Sequence, residues 1–216
     1  MGALMDQTSS EAARLIERLR AGDRRALGEL FERYRDRLRR MVELRMDPRL
    51  RARLDASDVL QEAFVELASD LEAYLADPKL QPLLWMRIHV GRRLTTLHRR
   101  HLGTHLRNAG LEISLYREAL PEASSAALAS MLLGRHTSPT QAAQRAERLL
   151  RVQEALNSLD PIDREVLALR HFEQLSRGET SAVLGISPEA GAKRYFRALK
   201  RLKEQLGSMP GGWEGI

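Results

Sequence analysis

The sequence contains no cysteine and no long apolar run. Without cysteine the chain can form no disulfide, no thiolate nucleophile and no cysteine-containing zinc site, which fits a reducing compartment. The longest apolar stretches, such as PLLWM, are far too short to span a bilayer. The N-terminal stretch becomes charged and amphipathic too early for a secretory signal. We therefore expect a cytoplasmic protein.

Two adjacent blocks each lack charge of one sign. From Asp55 to Asp77 every charged residue is acidic, and from Pro78 to Leu111 every charged residue is basic. The whole chain carries a net charge of +6 and has a pI near 10.1, which favours an anionic partner such as nucleic acid or a membrane surface. The opposite signs of the two blocks indicate two different partners.

Helical periodicity dominates, and no stretch alternates convincingly like a strand, so the sequence predicts an all-α fold. Thr8 with Glu11 has the pattern of a capping box that opens a first helix, and this helix is expected to end near Ala21-Gly22. Asp23 is placed to cap a second helix, which Pro48 terminates.

In the acidic block, a helical stripe of apolar residues faces a core and leaves Asp58, Glu62 and Glu66 on the opposite side. The stripe consists of Leu60, Phe64, Leu67, Leu71 and Tyr74. After the loop ADPKLQP, a helix that begins near Pro82 is expected to bury its apolar residues and display its arginines. The buried set is Leu84, Ile88 and Leu94.

We predict two small helical domains joined by a linker. The N-terminal domain spans residues 1–102 and the C-terminal domain spans residues 138–208. The linker between them, residues 103–137, is long enough to contain a short helix, and residues 209–216 form a flexible tail. Helix signals in the second half are Ser138-Pro139-Thr140-Gln141, Asp160-Pro161, the capping pair Ser176 and Glu179, Gly185 as a stop, and Ser187-Pro188.

The stretch RGETSAVLGISPEAGAKRYFRALKRL has the pattern of a helix-turn-helix, with a short helix, a glycine-containing turn and a second helix. We expect the second helix to bury Ala192, Phe196, Leu199, Leu202 and Leu206. Its basic residues fall on another face, where they can contact phosphates while the first turn reaches base edges. The alternative is an ordinary solvated basic face, which the placement of the turn disfavours.

The C-terminal stretch from LNSLDPIDREVLALRHF to RALKRLKEQL resembles the promoter-reading domain of the extracytoplasmic-function sigma factors, which belong to the sigma-70 family and serve bacterial RNA polymerase. AGDRRALGELFERY, DASDVLQEAFVEL and LLWMRIHVGRRLTTLHRR resemble the other domain of that family, in the family's order. The resemblance implies a protein that binds core polymerase, recognises promoter DNA and helps open it, without catalysing a reaction and without a cofactor.

The resemblance also implies site residues. The acidic helix would dock on a coiled coil of the largest polymerase subunit through Asp55, Asp58, Gln61 and Glu62. The neighbouring basic helix would contact the minus-ten element through Trp85, Arg87, Arg92, Arg93, Arg99 and Arg100. The C-terminal domain would read the minus-thirty-five element through Ser187, Glu189, Lys193, Arg194, Arg197, Lys200 and Arg201. A lone Trp on an amphipathic helix is also typical of a core residue, so Trp85 has two interpretations.

The sequence departs from the family pattern at His89 and Gly91, and at Thr180 and Ser181, which replace an Ile-Ala core pair. An anti-sigma factor is a candidate partner that no residue identifies, and neither a membrane nor a small-molecule substrate is expected.

Three other functions have some support in the sequence. Asp55, Asp58 and Glu62 are potential ligands of a divalent metal, and His98, His101 and His105 are potential zinc ligands. No nucleophile or general base accompanies either set, and Gly103 weakens helix continuity before His105. A helix-turn-helix regulator that acts without polymerase would leave the acidic helix and the Trp-led helix unexplained.

Overall fold

The computed structural model describes residues 2–102, 121–133 and 142–207, and it is helical in all three ranges. The helices are α1 (Gly2–Arg20), α2 (Arg25–Arg45), α3 (Ala56–Ala76), α4 (Pro82–Leu102), α5 (Ser125–Leu132), α6 (Ala142–Asn157), α7 (Pro161–Leu167), α8 (Arg177–Leu184) and α9 (Pro188–Gly207). A π-helical turn, Ala168–Phe172, continues α7. No strand occurs in these ranges, which confirms the all-α prediction.

The described residues fall into two compact units. The first contains α1, α2 up to Val42, the segment from Met46, α3 and α4, and the second contains α5 to α9. The linker predicted at 103–137 therefore includes a formed helix, α5. Leu128 of α5 is fully buried in the core of the second unit, which α5 shares with α6. The predicted domain boundaries themselves stay a prediction.

The core of the first unit lies between α3 and α4 and their neighbours. Leu60, Leu67 and Leu71 of the predicted α3 stripe are almost fully buried, and the ring of Phe64 packs edge-on against Phe31 of α2 at a centroid distance of 5.0 Å. On α4, Leu94 is fully buried as expected. The stripe leaves one side of α3 available to solvent.

Helix starts follow local hydrogen bonding, as the sequence predicts, with one exception. Asp23 accepts a hydrogen bond from the backbone N–H of Arg25 at the start of α2, at 3.1 Å. α1 begins at Gly2 instead of near Thr8, so the predicted capping box does not open it. The helix ends as predicted, because Gly22 adopts a φ of 88° that favours glycine.

The helix-turn-helix of the second unit forms as predicted. Ser176 and Glu179 make a reciprocal capping box at the start of α8, and Gly185 ends this helix in the left-handed conformation with a φ of 66°. Ser187 accepts a hydrogen bond from the backbone N–H of Ala190 at 3.2 Å and so caps α9. The Ser138 signal and the predicted tail lie outside the described residues.

Candidate functional site

The start of α3 carries the first residues of the predicted docking set. Asp55 accepts hydrogen bonds from the backbone N–H groups of Ser57 and Asp58, at 2.6 and 3.0 Å, and Asp58 accepts one from the backbone N–H of Asp55 at 2.8 Å. This capping box satisfies the free N–H groups at the helix start and places two carboxylates at the positive end of the helix dipole. Asp55 and Asp58 therefore stabilise α3 in addition to any docking role.

Glu62, one turn further along α3, forms an ion pair with Arg93 of α4. Arg93 also reaches Glu66, with 3.4 Å between Nη1 and Oε1. All three side chains are partly exposed, so a residue predicted to bind polymerase is paired with one predicted to bind DNA. The sequence indicates that the acidic surface of α3 and the basic surface of α4 are separate, whereas in the structure the ion pair between Glu62 and Arg93 connects them.

Gln61 and Val65 complete the exposed side of α3. Gln61 is exposed, and Val65, one turn later, is 66% exposed, an unusual position for a branched apolar residue. The sequence analysis missed Val65, although its spacing from Asp58, Gln61 and Glu62 places it on their face of the helix. Asp55, Asp58, Gln61, Glu62 and Val65 together form an acidic face with one exposed apolar residue at its C-terminal end, which we call the α3 face.

The arginines of α4 do not behave alike. Arg92, Arg99 and Arg100 are exposed and follow one another at helical spacing. Arg87 is only 3% exposed, so the expectation that α4 displays all its arginines is wrong for this residue. The physical reason is that Arg87 lies on the face of α4 that packs into the first unit, where its neighbours Met86 and Val90 are also buried.

Trp85 is buried as well, with 5% of its surface exposed. Its ring stacks on Tyr74 of α3 at a centroid distance of 4.1 Å and an interplanar angle of 11°. The indole N–H donates to Asp70 Oδ2 at 3.1 Å, which satisfies its only polar group. The structure thus places Trp85 and Arg87 in the interior and the other four predicted minus-ten residues at or near the surface.

The first turn of α9 begins the predicted base-reading surface. Glu189 is exposed there, and hydrogen bonds from its own backbone N–H and from the Ser187 hydroxyl lower the pKa of its carboxyl. Lys193, Arg197 and Lys200 follow on one exposed face of the same helix. The exposed side of α9 is therefore positively charged after its first turn, in which Glu189 is the acidic residue.

Three arginines of α9 converge on one carboxylate that the sequence analysis missed. Asp163, in the first turn of α7, is fully buried and accepts hydrogen bonds from Arg197 at 2.9 and 3.0 Å and from Arg194 at 3.1 Å. Arg201 lies 3.8 Å away. Burial opposes ionisation of Asp163, but the hydrogen bonds from Arg197 and Arg194 outweigh it and hold the pKa of the carboxyl below its usual value.

This arrangement separates the cations of α9 into two groups. Lys193 and Lys200 are exposed, while Arg194, Arg197 and Arg201 lie within 3.8 Å of Asp163, share its negative charge and keep part of their surface exposed. The only sequence signal for Asp163 was an acid in the first turn of a helix that follows Asp160-Pro161. Its partners lie about thirty residues later, a separation at which local periodicity gives no information.

Phe196 lies on the outside of α9. The sequence analysis placed it in the buried stripe, but it is 62% exposed, so that assignment is wrong. Of the predicted stripe, Leu206 is buried and Leu199 and Leu202 pack against the core, while Gly191 and Ala198 are buried in addition. Phe196 lies at helical spacing from the exposed Lys193 and Lys200. An exposed aromatic ring among cations is a further candidate for contact with bases.

Neither a membrane-spanning segment nor a metal cluster is found in the described ranges. No helix there is long and apolar enough to cross a membrane. Within 2–102, 121–133 and 142–207, no group of three or more His, Cys, Asp or Glu side chains is arranged to hold a metal ion. His98 is buried and accepts a hydrogen bond from the backbone N–H of Asp47 at 3.4 Å, and burial lowers its pKa.

Comparison with known proteins places these surfaces in a family context. Residues 149–202 match the family described as Sigma-70, region 4. The chain is 32% identical over 188 residues to the ECF RNA polymerase sigma factor SigD of Mycobacterium tuberculosis, an alignment that covers 86% of this chain and 79% of the relative. It is 31% identical to the RNA polymerase sigma-E factor of Streptomyces avermitilis, with 72% and 73% of the two chains covered.

Among solved structures, the chain is similar to CnrH in its complex with the cytosolic domain of CnrY. The TM-score is 0.51 at 24% identity, and the match covers 92% of this chain and 96% of the other. This likeness concerns the fold, an all-helical chain of the same extent.

Proposed function

The chain belongs to the extracytoplasmic-function sigma factors of the sigma-70 family, and on this premise we propose that it binds core RNA polymerase through the α3 face, recognises promoter DNA with α4 and α9, and helps open the duplex. It does this by binding alone and catalyses no reaction. Its place of action is the cytoplasm, where core polymerase and DNA are found together. An anti-sigma factor remains a candidate partner.

The observation that carries the DNA-binding part is the outer side of α9. This helix follows a capped α8 and a left-handed Gly185, which is the geometry of a helix-turn-helix. Lys193 and Lys200 are exposed on it, and Arg197 is half exposed, so several cations can approach phosphates at once. Glu189 and Lys193 lie nearer the helix start, where side chains reach base edges.

The α3 face supports the polymerase-docking part. Its carboxylates are held in place by the capping box and by Arg93, and Val65 adds an exposed apolar side chain at its C-terminal end. A preorganised acidic surface with an adjacent apolar contact suits a basic helical partner, because the charges guide approach and the apolar contact excludes water. We propose Asp55, Asp58, Gln61, Glu62 and Val65 as this docking set.

Arg92, Arg99 and Arg100 of α4 are proposed to hold the phosphates of the minus-ten region. They are exposed and belong to a stretch that contains no acid, with Arg92 two turns before Arg99 and Arg100 along α4. The domain organisation proposed with this function is residues 1–102 for polymerase and the minus-ten element and 138–208 for the minus-thirty-five element.

The experiment that tests the proposal is transcription in vitro with purified core polymerase and a library of genomic promoters. We expect the chain to stimulate initiation from a subset of promoters that share sequence at the minus-ten and minus-thirty-five positions. Binding to DNA without any stimulation of core polymerase would instead indicate a helix-turn-helix regulator that acts without polymerase docking.

A further inference from the structure

A small cavity lies between α8 and α9, the two helices of the helix-turn-helix. Its volume is about 30 Å³, which is room for about two atoms the size of a water oxygen. Thr180, Ser181 and Gly191 line it and are buried, whereas Arg177 and Phe196 line it and are exposed. The cavity therefore runs from the solvent side inwards, and it can receive the end of a polar group but not a whole metabolite.

Two hydroxyl groups at the buried end of the cavity lack hydrogen-bond partners. Thr180 is 2% exposed and Ser181 is 4% exposed, and neither Thr180 Oγ1 nor Ser181 Oγ has a partner among the described residues. The Ser181 hydroxyl lies against Gly191, which has no side chain to fill the space beside it. Buried polar groups are rarely left unpaired, because burial of an unpaired hydroxyl is unfavourable. A polar ligand atom in the cavity would supply the missing partner.

The charged side chains that line the cavity, among the described residues, are both arginines. Arg177 is exposed in the first turn of α8, and Arg170 lies in the π-helical turn, where its Nη1 donates to the backbone carbonyl of Leu175. Neither arginine forms an ion pair with a residue that the structure describes. A guanidinium has five N–H donors, so Arg170 retains donors for a ligand. The charge at the cavity thus suits an anion.

The remaining wall of the cavity is aromatic and is held in place by its neighbours. The Tyr195 hydroxyl lies 2.8 Å from His171 Nε2, and the guanidinium of Arg170 lies 5.6 Å from the centroid of the Tyr195 ring. Phe196 meets the same ring edge-on at 5.8 Å. Because these contacts exist before any ligand arrives, little side-chain freedom is lost on binding.

We propose that this cavity binds the phosphate monoester group of a small molecule. A phosphate monoester has three terminal acceptor oxygens. One oxygen enters the cavity and accepts hydrogen bonds from Thr180 and Ser181, while the others accept from Arg170 and Arg177 at the rim. A carboxylate and a phosphodiester of the DNA backbone have fewer free oxygens, so neither satisfies both hydroxyls and both arginines as completely.

This site goes beyond the proposed function, because its ligand is neither polymerase nor promoter DNA. It also gives Thr180 and Ser181 a role. These two residues replace an apolar pair of the family pattern, and the exchange places two hydroxyls where packing alone would favour carbon atoms.

The test titrates the full chain with inorganic phosphate and follows binding by phosphorus NMR, with ionic strength held constant by potassium chloride. Wild type should bind phosphate at one site. Thr180→Val and Arg177→Gln should each bind it about tenfold or more weakly, because each loses a hydrogen bond to a charged oxygen. Dimethyl phosphate, which has the chemistry of the DNA backbone, should bind wild type about tenfold or more weakly than inorganic phosphate does.

Lys203→Gln is the matched control, since it removes one positive charge from an exposed position of α9 that does not line the cavity. It should bind phosphate as wild type does. Urea unfolding separates a binding role from packing, because Thr180→Val keeps the shape of the side chain and removes an unpaired hydroxyl. This variant should be at least as stable as wild type while it loses phosphate affinity.

Two results would overturn the site. One is the absence of saturable phosphate binding by wild type, and the other is equal phosphate affinity in wild type, Thr180→Val and Arg177→Gln. Equal affinity for dimethyl phosphate and inorganic phosphate would overturn the assignment to a small molecule and would favour a phosphate of the DNA backbone. Transcription with core polymerase tests the proposed function separately.

Discussion

Gly191 of α9 packs closely against the side chain of Ser181 of α8, the other helix of the helix-turn-helix. A Cβ atom built on Gly191 would lie only 2.7 Å from Ser181 Oγ, closer than such atoms ever come. The next atoms, Ile186 Cδ1 and Ser181 Cβ, are at 3.8 and 3.9 Å, which are ordinary contacts. The hydroxyl of Ser181 is thus the single obstacle to a side chain at Gly191.

The close contact between Ser181 and Gly191 predicts that the effect of a substitution at Gly191 on stability depends on the residue at position 181. Gly191→Ala alone should lower the free energy of unfolding of the second unit by roughly 1–3 kcal/mol, because the new methyl group overpacks the crossing. In a Ser181→Ala background the same change should be neutral or stabilising, since alanine is favoured over glycine inside a helix by about 0.5–1 kcal/mol. Urea unfolding of the four variants measures the coupling, and additive effects would contradict it.

Asp163→Asn tests the convergence of arginines on one buried carboxylate. We expect a loss of roughly 1–3 kcal/mol in the free energy of unfolding at neutral pH, because charge-assisted hydrogen bonds from Arg194 and Arg197 are replaced by weaker ones. Asp160→Asn is the matched control, since Asp160 caps the same helix from an exposed position and asparagine caps equally well.

The pH dependence of this effect has a defined sign. The pKa of Asp163 is lower in the folded state than its usual value of 3.8, so its ionisation stabilises the fold above that value and the contribution is lost as pH falls through the folded pKa. The stability difference between wild type and Asp163→Asn should therefore shrink below about pH 3.8, as measured by thermal melting. A difference that is constant from pH 7 to pH 2 would exclude ionised Asp163 as its origin.

Two substitutions of Trp85 distinguish a core residue from a residue that contacts DNA. Trp85→Ala should lower the free energy of unfolding of the first unit by about 3–5 kcal/mol, because a large ring leaves the core. Trp85→Phe retains a ring against Tyr74, so we expect it to fold and to open duplex promoters nearly as wild type does. Circular dichroism and permanganate footprinting measure the two properties. A folded Trp85→Phe that opens only a premelted bubble would show that the indole itself contacts DNA.

Docking through the α3 face can be tested with a pair of variants that separates the loss of polymerase affinity from the loss of stability. Glu62→Arg alone places like charges beside Arg93, whereas the double change Glu62→Arg with Arg93→Glu restores an ion pair of opposite orientation. We expect both variants to lose polymerase affinity by tenfold or more, and only the single variant to lose stability as well. Normal polymerase affinity in the stable double variant would count against Glu62 as a docking residue.

The outer side of α9 predicts two kinds of DNA-binding defect. Lys200→Ala should weaken binding to all promoters alike and lower the slope of log affinity against log salt by about one unit. Lys193→Ala, nearer the helix start, should change sequence preference by roughly 1–3 kcal/mol at one base pair. Titrations of a promoter set at several salt concentrations distinguish these effects, and equal scaling at every promoter by both variants would contradict the proposed register of α9.

Local signals in the sequence were sufficient for most of the fold. The capping pair at Ser176 and Glu179, the stop at Gly185 and the start at Ser187-Pro188 involve hydrogen bonds within one turn, so the residues themselves determine them. The stripe of α3 was equally clear, because a 3.6-residue period is a property of the helix alone. The family resemblance, rather than spacing, supplied the functional assignment of these surfaces.

The features that the sequence did not reveal depend on contacts between distant residues. Asp163 meets α9, and Arg93 meets Glu62, through pairings that arise only after helices pack. Phe196 was misassigned because the period of α9 does not determine which residues at the edge of its apolar stripe are buried. Packing against α7 and α8 buries Gly191 and Ala198 and leaves Phe196 exposed. Arg87 was expected on an outward basic face and Trp85 had two interpretations, whereas both lie in the interior of the first unit.

The ion pair between Glu62 and Arg93 has a thermodynamic consequence for assembly. While the pair is closed, part of the charge of each residue is neutralised by the other, and Glu66 also lies 3.4 Å from Arg93. If Glu62 binds polymerase and Arg93 binds a promoter phosphate, as proposed, both ligands compete with the same ion pair. By linkage, polymerase and promoter DNA should then raise each other's affinity for the chain by the same factor.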